Sequence, residues 1–371
     1  MSEQETLFEI KEDWEVEWEG MPEYIQEKIL PHKEYIVRFK TKEDVDEFFI
    51  LIKQKEPKKL KSIWFPKIEI KKESSKEVYT DEKTFLSKSF INERPKKQLS
   101  KFVDEYIKID KSMDVEEAMS AISETMKYYK ENKPSSDSFI AKMEKRWYYS
   151  LSTGKPDYSV YSDKYYFADL WCCWIIYSRR YLMDISKKGK LSNYSTDKSI
   201  VDLLSDTTNT ILDLGCGTAQ TTVSLMGMFP NSDVYASNLE GSMQYEFCKK
   251  SEREYGFNLI SDISQVGKDV DFIFASEYFE HIERPIEHLR DIIDTLNPKY
   301  FIIANAFGTM STGHFIYYKH DGYLISQDNV SKDFNNYLRE RKYKKIKTNL
   351  CNNRPAFWVK EDSLEIAKSE S

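Results

Sequence analysis

The sequence predicts an α/β fold with a doubly wound, mainly parallel sheet in its second half. Three observations indicate it. A short apolar run at residues 211–214 stops in a glycine turn and leads into a helical segment. Further short apolar runs alternate with helical segments as far as residue 304, which is typical of βαβ units. One of these runs, VDFIFAS at 270–276, is apolar almost throughout, as expected of a strand buried on both faces.

The first predicted strand ends in the turn ILDLGCGTA, residues 211–219. Gly215 and Gly217 permit a tight turn and a close approach of the backbone to a ligand, which a Cβ would obstruct. The following AQTTVSLMGMF has the length and apolar content of a helix, whose first N–H groups would face that ligand. A dinucleotide site is disfavoured, because Gln220 stands where G-x-G-x-x-G requires its last glycine.

The turn resembles the first motif of class I S-adenosylmethionine-dependent methyltransferases, D/E-x-G-x-G-x-G. Asp213, Gly215 and Gly217 match that motif, and Ala219 replaces the third glycine. The resemblance implies a Rossmann-like sheet of seven strands, the last one antiparallel, with S-adenosylmethionine held at the turn. Cys216 lies inside the turn, among the cofactor-binding residues, where we expect it to fill space.

The next two predicted strands carry the other expected cofactor contacts. SDVYASNLE (232–240) places Asn238 where the family has an acidic residue for the ribose hydroxyls, with Glu240 two residues later. An amide lacks the charge-assisted hydrogen bond of a carboxylate, so either Glu240 takes this role or affinity is weaker. FNLISDI predicts a third strand. The resemblance makes Asp262 the acceptor for the adenine amino group, with Ile263 packing on the ring.

The fourth strand is followed by EYFEHIERP, similar to the S-x-x-x-E-H-x-x-x-P segment of the small-molecule branch of this family. Ser276, which opens the segment, is assigned to the cofactor site. Glu277 and His281 are expected beside the transferred methyl group, where His281 is the first candidate base. His314 is the next candidate. Two alternatives stay open: His281 caps a turn or orients Glu280, and Glu277 is a solvated carboxylate.

The remaining elements complete the sheet. PIEHLRDIIDTL (285–296) predicts a helix with a proline in its first turn, and YFIIANAF predicts a fifth strand. YKKIKTN and PAFWVK resemble the closing antiparallel pair that this family adds. The resemblance covers about residues 155–361. We assign 151–362 to the methyltransferase domain, including an N-terminal helical lid, and 363–371 to a disordered tail.

The lid segment is dense in aromatic residues. Tyr158 and Tyr161 are expected to stack on a planar acceptor or contact the sulfonium, whereas Trp171 and Trp174 are expected in the core. Residues 76–150 are assigned to a charged linker and helices.

The N-terminal part, residues 1–75, is expected to be a small β-α-β module. EYIVRFKT alternates like a strand, Thr41 and Asp44 suggest a capping box for the helix KEDVDEFFILIKQ, and SIWFPKIEI follows as a second strand. The pattern resembles a module of bacteriophage and mobile-element proteins linked to DNA base modification. The alternative is a docking or dimerisation module.

Composition and short motifs argue against several partners, kinds of site and classes of methyltransferase. The net charge of −7 does not support bulk attraction to nucleic acid, although such a partner stays possible. Five cysteines without C-x-x-C spacing predict no metal site and fit a cytoplasmic protein with free thiols. LWCCWII is far too short to span a membrane. The prolines of DNA amino-methyltransferases and the Pro-Cys pair of cytosine C5 enzymes are both missing from the sequence.

The sequence therefore predicts an enzyme that moves a methyl group from S-adenosylmethionine to an oxygen or nitrogen atom. The acceptor is expected on a small molecule, a nucleotide or a modified nucleobase. The alternative is a catalytically inactive subunit or binding module in a phage-type nucleic-acid modification system. Transfer of another group from the same cofactor is a third possibility.

Overall fold

The computed structural model describes residues 39–52, 91, 93, 95–131, 138–187, 199–267, 269–348, 350 and 354–363. The chain divides into two compact units, 1–78 and 79–371.

The described part of the first unit contains helix α1 (Lys42–Leu51). The Thr41 amide donates to Asp44, and the Asp44 amide donates to the Thr41 hydroxyl, which confirms the predicted capping box. Residues 39–41, the end of the first predicted strand, form no strand; the rest of that strand and the second one lie outside the described residues. The module and its resemblance to phage proteins stay predictions.

The second unit is an α/β structure built around a seven-stranded sheet. Its described helices are α2 (Pro95–Ile109), α3 (Val115–Glu131), α4 (Phe139–Ser152), α5 (Tyr166–Cys173), α6 (Arg179–Lys187), α7 (Ile200–Thr207), α8 (Gln220–Met228), α9 (Met243–Tyr255), α10 (Pro285–Leu296) and α11 (Gln327–Glu340). Its described strands are β1 (Thr210–Leu214), β2 (Asp233–Ser237), β3 (Asn258–Ile260), β4 (Phe272–Ser276), β5 (Tyr300–Ala304), β6 (Tyr317–His320), β7 (Tyr323–Ser326), β8 (Tyr343–Ile346) and β9 (Ala356–Lys360).

The sheet order is β3-β2-β1-β4-β5-β9-β8. Strands β1 to β5 pair in parallel, and β9 is antiparallel to both of its neighbours. This topology confirms the predicted doubly wound sheet with an antiparallel last strand. Parallel pairing places the carboxyl ends of β1 to β5 at one edge of the sheet. The order of the strands switches at β1, with β2 and β3 on one side and β4 and β5 on the other. Strands β6 and β7 form a separate hairpin.

Each face of the sheet has its own core, because alternate residues of a strand point to opposite faces. Ile211 and Phe272 face the helices α2, α3, α5, α7 and α8, whereas Leu212 and Ile273 face α10 and α11. Helix α2 belongs to the first of these cores, since Phe102 stacks on Trp171 with ring centroids 4.8 Å apart. Within the described residues no helix is long and apolar enough to cross a lipid bilayer.

Two expectations about side chains are met in this core. Trp171 and Trp174 are each only 3% exposed, which confirms them as core residues. Residues 95–131, which the sequence assigned to a charged linker and helices, pack against the same side of the sheet as the lid. The domain boundaries drawn from the sequence stay predictions.

Candidate active site

The glycine turn lies at the carboxyl end of β1 and is tied to the end of β2. The Gly215 amide donates to the Ser237 hydroxyl, and the Cys216 amide donates to the Ser237 carbonyl, each at 3.0 Å. Gly215 and Gly217 have φ values of +75° and +57°, which only glycine adopts without strain. Ala219 also has a positive φ, +65°, so a glycine would fit better there. Its methyl group is buried against Val223, which offsets part of the strain.

The buried Asp213 side chain supports the turn from the interior of the domain. Its carboxyl group is 2% exposed and accepts a hydrogen bond from the Thr222 hydroxyl at 2.6 Å, which links β1 to α8. Burial raises its pKa to about 7, because little water reaches the charged form. Asp213 therefore supports the turn through α8.

Side chains lie against both glycines of the turn. A Cβ on Gly215 would be 2.2 Å from Cδ2 of Tyr278, so this ring lies directly on the glycine. A Cβ on Gly217 would be 3.6 Å from the Leu170 side chain, which comes from helix α5 of the lid. The Tyr278 hydroxyl is held by Nε2 of His288 at 2.9 Å. The close approach that the glycines permit is made here by Tyr278.

Asn238 turns toward the glycine loop. Its amide nitrogen donates to the Gly217 carbonyl at 2.7 Å, and its Oδ1 accepts from the Leu239 amide. Its polar groups thus brace the turn. Glu240 is exposed and accepts from the Ser261 hydroxyl at 3.3 Å, next to the end of β3. Glu240 is the better placed of the two for ribose hydroxyls, and both assignments stay predictions.

Asp262 begins a 3₁₀ helix, Ile263–Val266, after β3. Its Oδ1 accepts from the Ser264 amide at 2.8 Å, and the hydrogen bonds from Ser264 lower the pKa of this exposed carboxyl. Ile263 is half-buried beside it. Asp262 thus caps this 3₁₀ helix and remains exposed at the end of β3. The adenine contacts of these two residues stay predictions.

Glu277 follows β4 and is buried, with a side chain only 9% exposed. Its Oε1 accepts from Arg354 at 2.8 Å and from the Tyr181 hydroxyl at 3.1 Å. The alternative of a solvated carboxylate is therefore wrong. Burial raises the pKa of Glu277, and the nearby arginine opposes that shift. Its backbone has a φ of +51°, a strained value for a residue with a side chain, which redirects the chain after the strand.

Glu280 is completely buried behind Glu277. Its Oε1 accepts from the Ala306 amide at 3.0 Å. Its Oε2 has no hydrogen-bond partner among the described residues unless one of the two carboxyl groups carries a proton and donates it to the other. Burial raises the pKa of Glu280 far above its usual range, and the charge of Glu277 adds to this effect. Glu277 and Glu280 thus form a buried acid pair, in which a charge on Glu277 disfavours ionisation of Glu280.

The two predicted histidines lie together beside this acid pair. The rings of His281 and His314 meet edge to face, with centroids 4.7 Å apart. Burial lowers the pKa of His281 well below its usual value, and it lowers that of His314 to about 4. Both rings are therefore neutral at pH 7. The Tyr161 hydroxyl lies 3.2 Å from Nδ1 of His281, and Nδ1 of His314 donates to the Thr309 carbonyl.

The lid contributes further polar groups through a widened helical turn. Helices α5 and α6 are joined by a π-helix, Trp174–Ser178, a feature that often marks functional sites. It brings the Ser178 hydroxyl 3.0 Å from that of Ser276, at the end of β4, and leads to Tyr181, which donates to Glu277. In α5, Asp169 is 3% exposed and accepts from the Tyr129 hydroxyl at 2.6 Å.

The structure thus brings the predicted residues into two neighbouring groups. The cofactor candidates line the ends of β1, β2 and β3, except for Ser276 at the end of β4, and the catalytic candidates lie after β4 and β5. Reasoning from the sequence missed Asp169, Tyr181 and Arg354. Arg354 had no signal, because it lies 77 residues from its partner Glu277. An acidic residue in the apolar helix YFADLWCC was a usable signal for Asp169.

The residues at this edge fit S-adenosylmethionine, whose cationic and N–H and O–H groups need acceptors. Exposed carboxylates stand at the ends of adjacent strands, in Glu240 and Asp262, and the turn between β1 and α8 presents Cα atoms without Cβ. Buried carboxyl groups and tyrosine rings next to them suit a sulfonium cation. Tyr278 lies over Gly215 within this space.

Comparison with known proteins agrees with this geometry. Residues 212–304 match a protein family described as a methyltransferase domain, which confirms the predicted class of enzyme and S-adenosylmethionine as its cofactor. A comparison with curated protein sequences found no match.

Three solved structures illustrate the similarity. The mitomycin 7-O-methyltransferase MmcR is 12% identical over 58% of this chain and 66% of its own, with a TM-score of 0.38. An O-methyltransferase family protein from Burkholderia thailandensis is 11% identical over 64% and 70%, with a TM-score of 0.38. An S-adenosylmethionine-dependent methyltransferase from Clostridium acetobutylicum is 13% identical over 43% and 90%, with a TM-score of 0.32.

Proposed function

We propose that the S-adenosylmethionine-dependent methyltransferase domain of this chain methylates an oxygen or nitrogen atom of a small molecule, a nucleotide or a modified nucleobase. One observation carries this proposal. The glycine turn after β1 and the buried group Glu277, Glu280 and His281 after β4 meet at one sheet edge, joined by Tyr278. When bound, S-adenosylmethionine supplies the methyl group on a sulfonium sulfur, a good leaving group.

Different residues bind the cofactor and exclude water from the site. We assign the cofactor to the ends of β1, β2 and β3, where Asp213 supports the turn and where Glu240 and Asp262 offer acceptors to hydroxyl and amino groups. Leu170 and Tyr161 of the lid cover the two ends of the site. Alignment of an acceptor and removal of water are the main demands of methyl transfer.

The neutral form of His281 is the form that accepts a proton. Because burial lowers its pKa, it is a weak base, suited to taking a proton only as the new bond forms. The acid pair after β4 is a second candidate for accepting the proton, since burial raises the pKa of both carboxyl groups and makes their carboxylates stronger bases.

Calorimetric titration of the full-length chain with S-adenosylmethionine and with S-adenosylhomocysteine tests the proposal. We expect saturable binding of both, and a loss of at least tenfold in affinity for Asp262→Ala and for Glu240→Ala. The matched control is Glu340→Ala, an exposed carboxylate at the end of α11, which should bind as the wild type does. Absence of binding by the folded wild-type chain would overturn the proposal.

A second candidate function is a non-catalytic subunit of a modification system. The ring of Tyr278 on Gly215 and the engagement of Asn238 within the turn favour it, because both use groups that a cofactor would need. The same titration separates the two candidates. If Tyr278→Ala alone confers binding, the wild-type site is closed and the second candidate is correct.

The class of acceptor requires a separate measurement. Mass spectrometry of nucleosides and metabolites from cells with and without the protein should reveal a species that is heavier by one methylene unit. A methylated nucleobase would support the resemblance of the N-terminal module to phage proteins. A methylated metabolite with unchanged nucleosides would favour the small-molecule acceptor.

A further inference from the structure

The side chains after β4 and β5 form a second polar group, separate from the turn. In the sheet order, β2 and β3 lie on one side of β1, and β4 and β5 lie on the other. The proposed cofactor contacts come from the strand ends on the first side and from β1. An acceptor must therefore lie over β4 and β5, under the lid residues Tyr161 and Tyr166, which pack against each other with ring centroids 5.2 Å apart.

This region carries more acid than base. Asp169, Glu277 and Glu280 are all buried there. The negative charges of Asp169 and Glu280 both act on Tyr161 and Tyr166, so the two carboxyl groups lie within electrostatic reach of the same two rings. Arg354 is the cation that the described residues pair with this group. The described residues therefore bring three buried carboxyl groups together with one arginine.

Buried acceptors in the same region lack donors. Among the described residues, Oε2 of Glu280, Oδ1 of Asn305 and Oγ1 of Thr312 are buried without a hydrogen-bond partner. Glu280 and Thr312 are both 0% exposed. Asn305 precedes Ala306, whose amide binds Glu280, and Thr312 precedes Gly313, whose Cα lies against His281 and Tyr161. Buried acceptors of this kind are stable when a ligand donates to them.

The tyrosine rings near these carboxyl groups also favour a cationic ligand. Tyr129 donates to Asp169, and Tyr161 and Tyr166 lie within electrostatic reach of Asp169 and Glu280. Burial raises the pKa of all three hydroxyls, so the rings stay neutral. Their faces attract a cation that has left water. A carboxylate or phenolate ligand would instead be repelled by the acid group and would leave Oε2 of Glu280 and Oδ1 of Asn305 without a donor.

We propose that the methyl acceptor is an amine, bound in its ammonium form by Glu280, Asn305 and Thr312 under the tyrosines of the lid. This inference rests on the proposed function and deepens it. An ammonium group brings two or three N–H donors and one positive charge, which suit the unpaired acceptors and the excess of carboxyl groups over the one arginine. A neutral alcohol brings one donor and no charge.

The acid pair also provides an acceptor for the proton that the ammonium must lose before its nitrogen can be methylated. The ammonium gives one proton to a carboxylate of the acid pair. The lone pair that this releases on nitrogen forms the bond to the methyl carbon, while the carbon–sulfur electron pair stays on sulfur. The product nitrogen carries the methyl group and one positive charge. The proton leaves the acid pair to solvent when the site opens.

Binding of three probes of the same shape tests the inference. Phenethylamine, 2-phenylethanol and 3-phenylpropionate are titrated into the full-length chain, with and without saturating S-adenosylhomocysteine, and followed by ligand-observed NMR. We expect phenethylamine to bind at least tenfold more tightly than the alcohol, and the carboxylate not to bind. Glu280→Gln and Asp169→Asn should each weaken the amine at least fivefold, whereas Glu340→Gln should leave it unchanged.

The result separates this inference from the proposed function. If S-adenosylhomocysteine binds but the amine binds no better than the alcohol, the acceptor class is wrong and the methyltransferase function stands. If the amine binds selectively but S-adenosylhomocysteine does not bind, the acid pocket stands and the proposed function fails. Circular dichroism and the melting temperature confirm that each variant is folded. A folded Glu280→Gln variant with full amine affinity would also overturn the inference.

Discussion

The ring of Tyr278 lies against Gly215, so that a Cβ on the glycine would be 2.2 Å from Cδ2 of the ring. The contact joins the turn after β1 to the segment after β4, and the Tyr278 hydroxyl is fixed by His288 at its other end. A ligand that contacts Gly215 on this side must displace the ring. Tyr278 is therefore the residue on which access to the turn depends.

Gly215→Ala should destabilise the protein by about 2 to 4 kcal/mol, because it adds a steric clash to the cost of a positive φ. Gly256→Ala is the matched control, since Gly256 has a φ of +84° and no atom within 4 Å of its Cβ position. That control should lose only about 1 kcal/mol. Chemical denaturation measures both free energies of unfolding.

The double variant Gly215→Ala/Tyr278→Ala checks the cause of this loss. Without the ring, the steric part of the destabilisation should disappear, so the effects of the two substitutions on the free energy of unfolding should not be additive. Additive free energies of unfolding would contradict the contact.

Removal of Arg354 should destabilise the protein, because the buried Glu277 carboxylate would lose its charged partner. We expect Arg354→Met to destabilise the protein by about 1 to 2 kcal/mol, a modest value because the side chain of Arg354 is 41% exposed. In the background of Glu277→Gln the same substitution should cost less than about 0.5 kcal/mol, since no charge is then left unpaired. Equal costs in the two backgrounds would show that the pair is not coupled.

Asp169 should make stability fall as pH rises. Burial raises its pKa from 3.8 to about 6, so the folded state binds more protons than the unfolded state between these values. The stability that protonation gives is complete below pH 4 and is lost by pH 6 to 7. Asp169→Asn should therefore gain about 2 to 3 kcal/mol relative to the wild type between pH 4 and pH 7.5, measured by denaturant titration. A pH-independent difference would contradict the raised pKa.

His314 should act in the opposite direction. Burial lowers its pKa from 6.5 to about 4, so the folded state binds fewer protons than the unfolded state between these values. Its contribution is complete above pH 6.5 and is lost as pH falls toward 4. His314→Asn keeps a donor for the Thr309 carbonyl, and its free energy of unfolding should improve by about 3 kcal/mol relative to the wild type from pH 7 to pH 4. Parallel pH profiles would contradict this.

Local pattern was sufficient to predict most of the sheet. The helix predicted over 285–296 matches α10, Pro285–Leu296, because its proline start, its apolar stripe and its Asn-Pro end all lie within one short segment. The strand VDFIFAS was equally readable, since burial on both faces leaves an unbroken apolar run. Such signals depend on neighbours in sequence.

The interior of the site was less predictable, because its contacts join distant segments. Arg354 reaches Glu277 because β9 runs antiparallel beside β5 and therefore begins, just after Arg354, at the carboxyl edge of the sheet. The inward turn of Asn238 depends on the Gly217 carbonyl and on Cys248, which the sequence does not place beside it. The motif predicted which edge of the sheet holds the cofactor. The hydrogen-bond partners of the side chains there depend on the tertiary fold and could not be predicted.

The π-helix Trp174–Ser178 adds one residue to a turn of the lid and so shifts the rotational phase of everything after it by about 100°. A regular 3.6-residue period drawn from α5 would point Tyr181 away from Glu277. Alignment of this helix with that of a relative that lacks the wide turn therefore needs a gap of one position. Deletion of a single residue there would rotate Tyr181 out of the acid pair while leaving the helix intact.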